Sequence, residues 1–410
     1  MSRWKRVLLF ISVMGPGILA ANIGNDGSGI TTYSVAGARF GYSILWTMIP
    51  TTIFLIVIQN MVARLGVVTG KGLSALIREN YGVRATFFVM TALFIANLGT
   101  AVANFAGLAA SVEILGFSKY LVLPLIAVSI WVLVTKGTYM VIERILLGAC
   151  FIYTGYIISA FLAGPDWSQL AYGTLIPTLK WDHEFIILTV AIIGTTITPW
   201  MQFYLQSSIA DKGVKIENYN ATKADVIFGS VTTDTVSFFI MLTCAATLFV
   251  HGIRIEEASE AAIALRPLAG DYAFLLFALC LGNAALLGAI VVPLTTAYVI
   301  CEGMGWESGL NKTFKEAPQF LGIYTAIISS AGILVLIPGA PLVLLMVLAS
   351  FMNGLLLPFV LLYVINLANN KRVMGDYINS KGYNYIAWAT VFTVISLTAF
   401  LVVTTIFPAG

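Results

Sequence analysis

Residues 24–29, Gly-Asn-Asp-Gly-Ser-Gly, interrupt an apolar run that extends from residue 7 to residue 38. A run of this length is typical of a helix that crosses the hydrocarbon core of a bilayer, which is about 30 Å thick. Asp26 therefore falls near the middle of a span, where a carboxylate costs at least about 2.5 kcal/mol unless it is paired or hydrated. The glycines around it let the backbone leave the helix and turn carbonyl oxygens toward the same point. The stretch predicts a membrane helix that is broken around an acid.

The composition of the whole chain is that of a membrane protein. Of its 410 residues, 59% are hydrophobic and 10% are charged, against about 25% charged in an ordinary soluble domain. The net charge of +3 gives no reason to expect a nucleic-acid partner, and the expected partner is the lipid bilayer. We expect an all-α membrane protein with eleven transmembrane helices. The predicted spans are residues 7–38, 43–63, 86–115, 120–135, 141–163, 185–210, 226–250, 271–301, 318–337, 341–367 and 385–406.

The basic residues predict the orientation of these spans. With the N-terminus in the cytoplasm, 17 of the 22 Lys and Arg residues face the cytoplasm. The five that face outward are Arg39, Lys119, Lys180, Arg254 and Arg266. This is the bias that the positive-inside rule describes. Because the number of spans is odd, we expect a multi-pass protein of the cell membrane with a cytoplasmic N-terminus and an outside C-terminus.

We predict that residues 1–410 form a single transmembrane domain, and we expect the protein to act as a monomer. Its longest predicted loops, residues 164–184 and 251–270, are too short to form domains. A second break falls in the sixth span, near residues 195–199, five spans after the first. Breaks at matching places in two halves are typical of inverted-repeat transporters with a site at the membrane midplane. Spans 1–5 and 6–10 would be the two repeats, with the eleventh outside them.

The sixth span supplies candidate oxygen ligands. Thr195, Thr196 and Thr198 carry hydroxyl groups, and Pro199 removes an amide donor and so leaves one carbonyl free. Together with Asp26 they could form an oxygen-lined cation site. Two bland interpretations remain open: the glycine-rich stretch could be a hinge in which Asp26 caps the second half-helix, and the threonines could bond to their own helical turn.

A few other polar residues fall inside apolar runs. Asp234 follows two threonines in the seventh span and either lines a permeation path or is satisfied by neighbouring helices. Gln202 and Asn353 are candidates for the same path, although we favour hydrogen bonding between helices as the role of each. The cysteines form no close-spaced pair, so we interpret them as packing residues rather than a disulfide frame or a metal site. They are Cys150, Cys244, Cys280 and Cys301.

Three motifs resemble the NRAMP family of divalent-metal transporters. They are Gly-Pro-Gly at residues 15–17 followed by Asp26, Ala-Arg-Leu-Gly-Val-Val-Thr-Gly-Lys at residues 63–71, and Lys-Arg-Val-Met-Gly-Asp at residues 371–376. The resemblance covers nearly the whole chain. It implies a LeuT-like fold of two inverted repeats, with a metal ion bound between the broken helices 1 and 6.

Departures from the family fall at these same breaks. The family has Asp-Pro-Gly-Asn at the first break, where residues 26–29 are Asp-Gly-Ser-Gly, and Ala-Thr-Val-Met-Pro-His at the second, where residues 195–200 are Thr-Thr-Ile-Thr-Pro-Trp. Loss of the thioether favours oxygen-loving Mg²⁺, which keeps several waters, and the changes resemble the NRAMP-related magnesium transporters. The resemblance implies a metal site formed by the Asp26 carboxylate, the Ile23 and Thr195 carbonyls, Thr198, and Gly29, which adds space or a carbonyl.

Proton coupling in the family relies on acids in the third helix and histidines in the sixth. The corresponding residues here are Asn97, Thr100, Trp200 and Gln206, none of which titrates near neutral pH. The histidines, His183 and His251, fall in predicted external loops. We therefore expect transport that is not coupled to protons.

The expected function is uptake of Mg²⁺, and also Mn²⁺, across the cell membrane, with no cofactor besides the transported ion. The alternatives are a proton-coupled Mn²⁺ or Fe²⁺ transporter and a sodium-coupled organic-solute transporter of LeuT-like fold. Asp26 argues against the last, because a fixed anion would repel a substrate carboxylate. We find no His-Glu-x-x-His or Gly-x-Ser-x-Gly motif, so an enzyme is not expected.

Overall fold

The computed structural model describes residues 15–178, 180, 183–256, 258–338 and 342–406. The beginning of the first predicted span, residues 7–14, and residue 341 at the start of the tenth lie outside the described residues, as does the side chain of His183. The α-helices of the described part are α1 (Pro16–Ile23), α2 (Gly27–Phe40), α3 (Met48–Thr69), α4 (Leu73–Ile114), α5 (Lys119–Lys136), α6 (Tyr139–Cys150), α7 (Thr154–Leu162), α8 (Trp167–Leu175), α9 (His183–Thr196), α10 (Pro199–Lys212), α11 (Tyr219–Cys244), α12 (Ala258–Met304), α13 (Pro318–Leu336), α14 (Leu342–Asn369), α15 (Lys371–Met374) and α16 (Lys381–Ile406).

The helices form an all-α bundle, which confirms the predicted fold class. Nine segments of the described residues are long and apolar enough to cross a membrane. The first of them runs from Gly27 to Thr69 and contains both α2 and α3, joined by a 3-10 helix at Gly41–Thr47. The number of eleven spans therefore stays a prediction.

Apolar side chains cover the outside of the bundle, while polar groups lie inside it. Leu121 and Phe151 are 72% and 75% exposed, as expected of side chains that face lipid. Gln59 and Gln206, in contrast, are fully buried. Such buried polar groups need partners in the bundle, because the hydrocarbon offers none.

Helix packing brings the two broken regions to the centre. α12 packs along α4, and α11 packs against α1, α2 and α3. The contact between α1 and α11 is a backbone contact, because a β-carbon at Gly229 would lie only 2.6 Å from the carbonyl oxygen of Gly17. Small residues permit this close approach of membrane helices.

Both segments that we predicted as long loops contain helix, which corrects that prediction. In 164–184, α8 begins at an N-cap, Asp166, whose side chain accepts hydrogen bonds from the backbone N–H of Ser168 and Gln169. The hydrogen bonds from the Ser168 hydroxyl and the Gln169 backbone lower the pKa of Asp166 below its usual value. α8 is too short to span a bilayer, so a search of the sequence for membrane-spanning apolar stretches does not find it.

The second of these segments, 251–270, holds the first part of α12. This part ends at a kink at Gly270, where φ is +86°. α4 has the same feature at Gly82, where φ is +83°. Glycine is the residue that adopts this conformation without strain. Both kinks precede the apolar part of their helix, in the third and eighth predicted spans, and so are five spans apart.

Candidate metal centre

The first break separates α1 from α2 and consists of residues 24–26. Asp26 is 3% exposed, and its Oδ1 accepts hydrogen bonds from Ser28 N (3.0 Å), Gly29 N (3.1 Å) and Ser28 Oγ (2.7 Å). Asp26 is thus the N-cap of α2, where the helix dipole favours a negative charge. The capping interpretation that the sequence left open is confirmed for this oxygen.

The other oxygen of Asp26 is less fully bonded. Oδ2 accepts one long hydrogen bond, 3.3 Å, from Nδ2 of Asn104 on α4. Asn104 is fully buried, and its Oδ1 accepts the backbone N–H of Gly27 at 3.1 Å. A carboxylate oxygen has two lone pairs, so Oδ2, which accepts a single bond, keeps one lone pair for a further ligand.

Backbone carbonyls at the break lose their helical donors. Gly27 N and Ser28 N would donate to the carbonyls of Ile23 and Gly24 in a continuous helix, but they donate to Asn104 and Asp26 instead. These carbonyl oxygens are therefore free of their i+4 partners.

The second break separates α9 from α10 at residues 197–198. Pro199 has no N–H, so the carbonyl of Thr195 lacks its i+4 donor. Thr198 is the N-cap of α10, but its side chain makes no capping bond, and its buried hydroxyl oxygen has no hydrogen-bond partner among the residues that the structure describes. Thr196, in contrast, bonds to its own turn, donating to Ile192 O at 2.7 Å.

The two breaks meet. A β-carbon at Gly29 would lie 3.6 Å from Oγ1 of Thr195 and 3.0 Å from the Gly24 carbonyl oxygen. The Tyr33 hydroxyl and Oγ1 of Thr196 are 2.7 Å apart. The structure thus brings Gly29 of the first break next to Thr195 of the second. Asp26 and Ile23 belong to the first break and Thr198 to the second, and their joint role as ligands stays a prediction.

α11 holds the first break in place through Asn25. Nδ2 of Asn25 donates to Thr233 O (2.9 Å), and its Oδ1 accepts from Ser237 Oγ (2.8 Å). Asp234, next to Thr233, is 3% exposed, and neither of its oxygens has a hydrogen-bond partner in the described part of the chain.

The two remaining predicted residues, Gln202 and Asn353, lie on α10 and α14. Gln202 lies one turn after Thr198 and donates to its carbonyl at 3.3 Å. Asn353 on α14 donates to Oγ1 of Thr100 at 3.4 Å, one turn before Asn104 on α4. Asn353 is thereby linked to the residue that contacts Asp26.

Sequence reasoning missed two side chains of this region. Asn104 donates a hydrogen bond to Asp26. In the sequence, the one feature that could have indicated it is its place on the same helical face as Asn97 and Thr100. Met201 is fully buried, and a β-carbon at Gly24 would overlap its terminal methyl group. A thioether thus remains beside the first break, although Thr198 replaces the family's methionine.

The described residues contain no group of three or more His, Cys, Asp and Glu side chains that could hold a metal. An ion at the breaks would instead be held by one carboxylate with hydroxyl and carbonyl oxygens. Oxygen ligands of this kind suit hard cations such as Mg²⁺ and Ca²⁺.

Known proteins resemble the chain in both sequence and fold. The divalent metal cation transporter MntH of Klebsiella pneumoniae subsp. pneumoniae is 30% identical over 401 residues, which cover 96% of this chain and 94% of that protein. A crystal structure of the Eremococcus coleocola manganese transporter superposes with a TM-score of 0.78, at 19% identity over 100% of this chain and 90% of that one. Mhp1, a nucleobase-cation-symport-1 family transporter in a closed conformation, gives 0.60 at 15% identity over 96% and 94% of the two chains.

The family model described as natural resistance-associated macrophage protein-like matches residues 17–404. The match spans both breaks and nearly all of the described helices. The chain therefore belongs to this family, whose members are transporters and not enzymes.

Proposed function

We propose that this protein carries divalent cations through the cell membrane, with Mg²⁺ as its principal substrate and Mn²⁺ as a second one. The observation that carries the proposal is that the two helix breaks lie against each other at Gly29 and Thr195. They include one buried carboxylate, carbonyls without their helical donors and, on Thr198, a hydroxyl without a hydrogen-bond partner among the described residues. The ligands we assign are Asp26, the carbonyls of Ile23 and Thr195, and Thr198, with Gly29 leaving room. The relatives named above are described as divalent metal cation and manganese transporters, which supports the substrate class.

The preference for Mg²⁺ follows from ligand chemistry. Mg²⁺ takes oxygen ligands and gives up its waters reluctantly, so it needs a site with space for several of them. Gly29 carries no side chain, and Thr198 offers a hydroxyl where the family has sulfur. A partly hydrated Mg²⁺ fits this combination better than an ion that must be stripped of water.

We propose further that Asp234, Gln202 and Asn353 line the permeation path. Each carries a buried oxygen without a hydrogen-bond partner among the described residues. Water around a moving ion would donate to such acceptors. The proposed orientation places the N-terminus in the cytoplasm, with the ion moving inward.

Transport is proposed to be uncoupled from protons. Asn97 and Thr100 stand where the family has acids, and Trp200 and Gln206 where it has histidines. Asn97 donates to Thr296 and Gln206 donates to the Lys71 carbonyl, so both serve as hydrogen-bonding groups in the bundle.

Met201 supports a second candidate, a carrier that prefers Mn²⁺. Its thioether lies beside Gly24 at the first break, and sulfur ligands favour softer metals than Mg²⁺. Replacing Met201 by leucine keeps the volume and removes the sulfur. If the second candidate holds, Met201→Leu lowers Mn²⁺ uptake and spares Mg²⁺ uptake, whereas the leading proposal expects no change in their ratio.

The test is uptake into proteoliposomes that contain the purified protein, measured separately for Mg²⁺, Mn²⁺ and Ca²⁺. We expect uptake of Mg²⁺ and Mn²⁺, and inhibition of Mn²⁺ uptake by excess Mg²⁺. Empty liposomes and Asp26→Ala protein serve as controls. Mn²⁺ uptake that is insensitive to a large excess of Mg²⁺ would contradict the assignment of Mg²⁺ as principal substrate.

A further inference from the structure

One face of α10 carries a row of oxygens that accept no hydrogen bond from the described part of the chain. The row, which we call the oxygen ladder, consists of Thr198 Oγ1, Gln202 Oε1 and Gln206 Oε1. Residues four apart lie on the same side of an α-helix, one turn above the other. Gln202 and Gln206 are fully buried. The ladder begins at the second break and runs toward the end of α10 that the charge bias places in the cytoplasm.

Neighbouring carbonyls fix the direction in which both amides point. Nε2 of Gln202 donates to Thr198 O at 3.3 Å, and Nε2 of Gln206 donates to Lys71 O at 2.9 Å. Turning either amide over would place oxygen against oxygen, so the assignment of nitrogen and oxygen follows from chemistry. The free oxygens therefore remain as acceptors. Buried acceptors without donors cost free energy.

The ladder ends beside a carboxylate, Glu302 near the end of α12. Oε2 of Glu302 is buried and accepts no hydrogen bond of ordinary length in the described chain, and Oγ of Ser207, the residue after Gln206, lies near this carboxylate. The Glu302 carboxylate lies directly against Gly72, where a β-carbon would overlap it. Gly72 follows Lys71, the residue that holds Gln206, and the Ser207 side chain faces the same carboxylate.

No cation balances this carboxylate. Glu302 takes part in none of the ion pairs found among the described residues. Another acid, Asp211, is close enough to act on Glu302, and it accepts hydrogen bonds from Tyr298 (2.6 Å) and from Leu310 N (3.0 Å). A buried, unpaired charge is strongly unfavourable unless a counter-ion joins it.

We propose that Glu302, Ser207 and Gln206 form a second cation site, in which a partly hydrated divalent cation rests after it has left the two breaks along the oxygen ladder. The three side chains, called the Glu302 site below, offer a carboxylate and two neutral oxygens and leave the other positions to water. This is how Mg²⁺ is usually held, and Mn²⁺ accepts the same ligands. The inference rests on the proposed transport of divalent cations and adds an intermediate stop to it.

Mn²⁺ binding to the purified full-length protein tests the site, since free and bound Mn²⁺ are distinguished by electron paramagnetic resonance. We expect two sites in the unaltered protein and one in Asp26→Ala. The Asp26→Ala, Glu302→Gln double variant should bind Mn²⁺ at the remaining site about tenfold or more weakly. The reason is that the substitution removes the negative charge of Glu302, which would lie beside the doubly charged ion. Glu307→Gln is the matched control, as Glu307 lies five residues further on with its side chain 68% exposed.

The outcomes separate this inference from the proposed function. If Asp26→Ala retains no Mn²⁺ binding, or if its residual binding survives Glu302→Gln, the Glu302 site is wrong while the site at the breaks stands. If Asp26→Ala keeps both sites and Glu302→Gln removes one, the Glu302 site stands and the site at the breaks fails.

A variant that keeps the negative charge, Glu302→Asp, is the control for misfolding. Glu302→Asp should bind Mn²⁺ at this site within a few-fold of the unaltered protein. In proteoliposomes, Glu302→Gln should slow Mg²⁺ uptake at saturating Mg²⁺, and Glu302→Asp should restore most of the rate. Equal loss in both variants would overturn the proposal, because it would show that the carboxylate's charge is not what matters.

Discussion

Asp26 combines a structural and a proposed ligand role through its two oxygens. Oδ1 accepts three hydrogen bonds from the first turn of α2, whereas Oδ2 accepts a single long one from Asn104. The cap fixes the direction of the carboxylate and leaves Oδ2 on the side of Asn104 with room for a further ligand. The helix that the break creates thus orients the ligand.

We predict that Asp26→Ala abolishes transport and metal binding at the breaks, because it removes their only fixed negative charge. Loss of the cap costs about 0.5–2 kcal/mol of stability, so the fold should survive. Asp26→Asn is the matched variant, since it keeps a capping side chain and removes the charge, and it should also fail to bind. Calorimetry with Mg²⁺ measures the effect. Unchanged affinity at this site would move the assignment to Asp234.

Thr198 is the residue at which we expect selectivity to change. Thr198→Met should shift preference toward Mn²⁺ by roughly tenfold, about 1.4 kcal/mol, since sulfur is a poor partner for Mg²⁺ and a larger side chain displaces its waters. The ratio of initial Mn²⁺ and Mg²⁺ uptake rates measures it.

The Gly29→Asn, Thr198→Met double variant is a stronger test of the metal preference, because it also restores the oxygen ligand that the family's asparagine supplies. The new β-carbon would lie 3.0 Å from the Gly24 carbonyl oxygen, so the backbone must yield by a few tenths of an ångström. If both variants fold and still move Mg²⁺ with no gain in relative Mn²⁺ uptake, these two positions do not set the preference.

The sequence indicated Asp26 and Thr198 because each departs from its surroundings, as a carboxylate in an apolar run or a hydroxyl beside a proline. Asn104 and Met201 carry no such signal. A methionine in a membrane helix is ordinary, and its place beside Gly24 follows only from how α10 packs on α1. Residues of this kind could not be identified before the helices were placed.

Among the elements, α1 has its N-terminal end bonded to a carboxylate from α11. The Asp225 side chain accepts hydrogen bonds from the backbone N–H groups of Gly15 (3.0 Å), Gly17 (2.6 Å) and Ile18 (3.3 Å). These are the groups that a helix N-terminus leaves without partners, and the negative charge also suits the helix dipole. The start of α1 is thereby fixed to the start of α11.

We predict that Asp225→Asn loosens α1, because the amide keeps one acceptor oxygen and loses the charge. Amide hydrogen exchange of residues 15–23 should speed up by about tenfold or more, as expected when hydrogen bonds to a charged group are lost. Asp376→Asn, at an exposed acid far along the chain, should leave it unchanged. Identical exchange in both variants would show that the other contacts of α1 with α11, such as the hydrogen bond from Thr233 Oγ1 to Ala21 O, hold α1 without Asp225.

The kinks at Gly82 and Gly270 add to what the breaks suggested about the repeats. Breaks in spans one and six and kinks before spans three and eight are both separated by five spans. The breaks could be read from the sequence, because glycine, proline and an acid interrupt apolar runs. The kinks could not, because a lone glycine between two helical segments is compatible with a helix end, a loop or a continuous helix.

For the molecule as a whole, we predict that metal uptake does not acidify the vesicle lumen. Each charge moved with the field gains about 2.3 kcal/mol per 100 mV, so uptake should rise with an inside-negative potential and change little with an imposed pH gradient. A pH dye and a potassium diffusion potential measure both. A proton flux that depends on added Mg²⁺ would contradict the prediction and direct attention to the buried acids Asp234 and Glu302.

The cysteines of this protein lie where water-soluble thiol reagents reach them poorly. Cys244, Cys280 and Cys301 are buried and Cys150 is half-buried, so an introduced cysteine reports against a low background. Lys180 and Lys215 are both exposed, on opposite predicted sides of the membrane. A membrane-impermeant maleimide added to intact cells should label Lys180→Cys and not Lys215→Cys, and lysis should expose both. The reverse pattern would turn the whole topology around, and with it the direction in which an ion meets the two breaks.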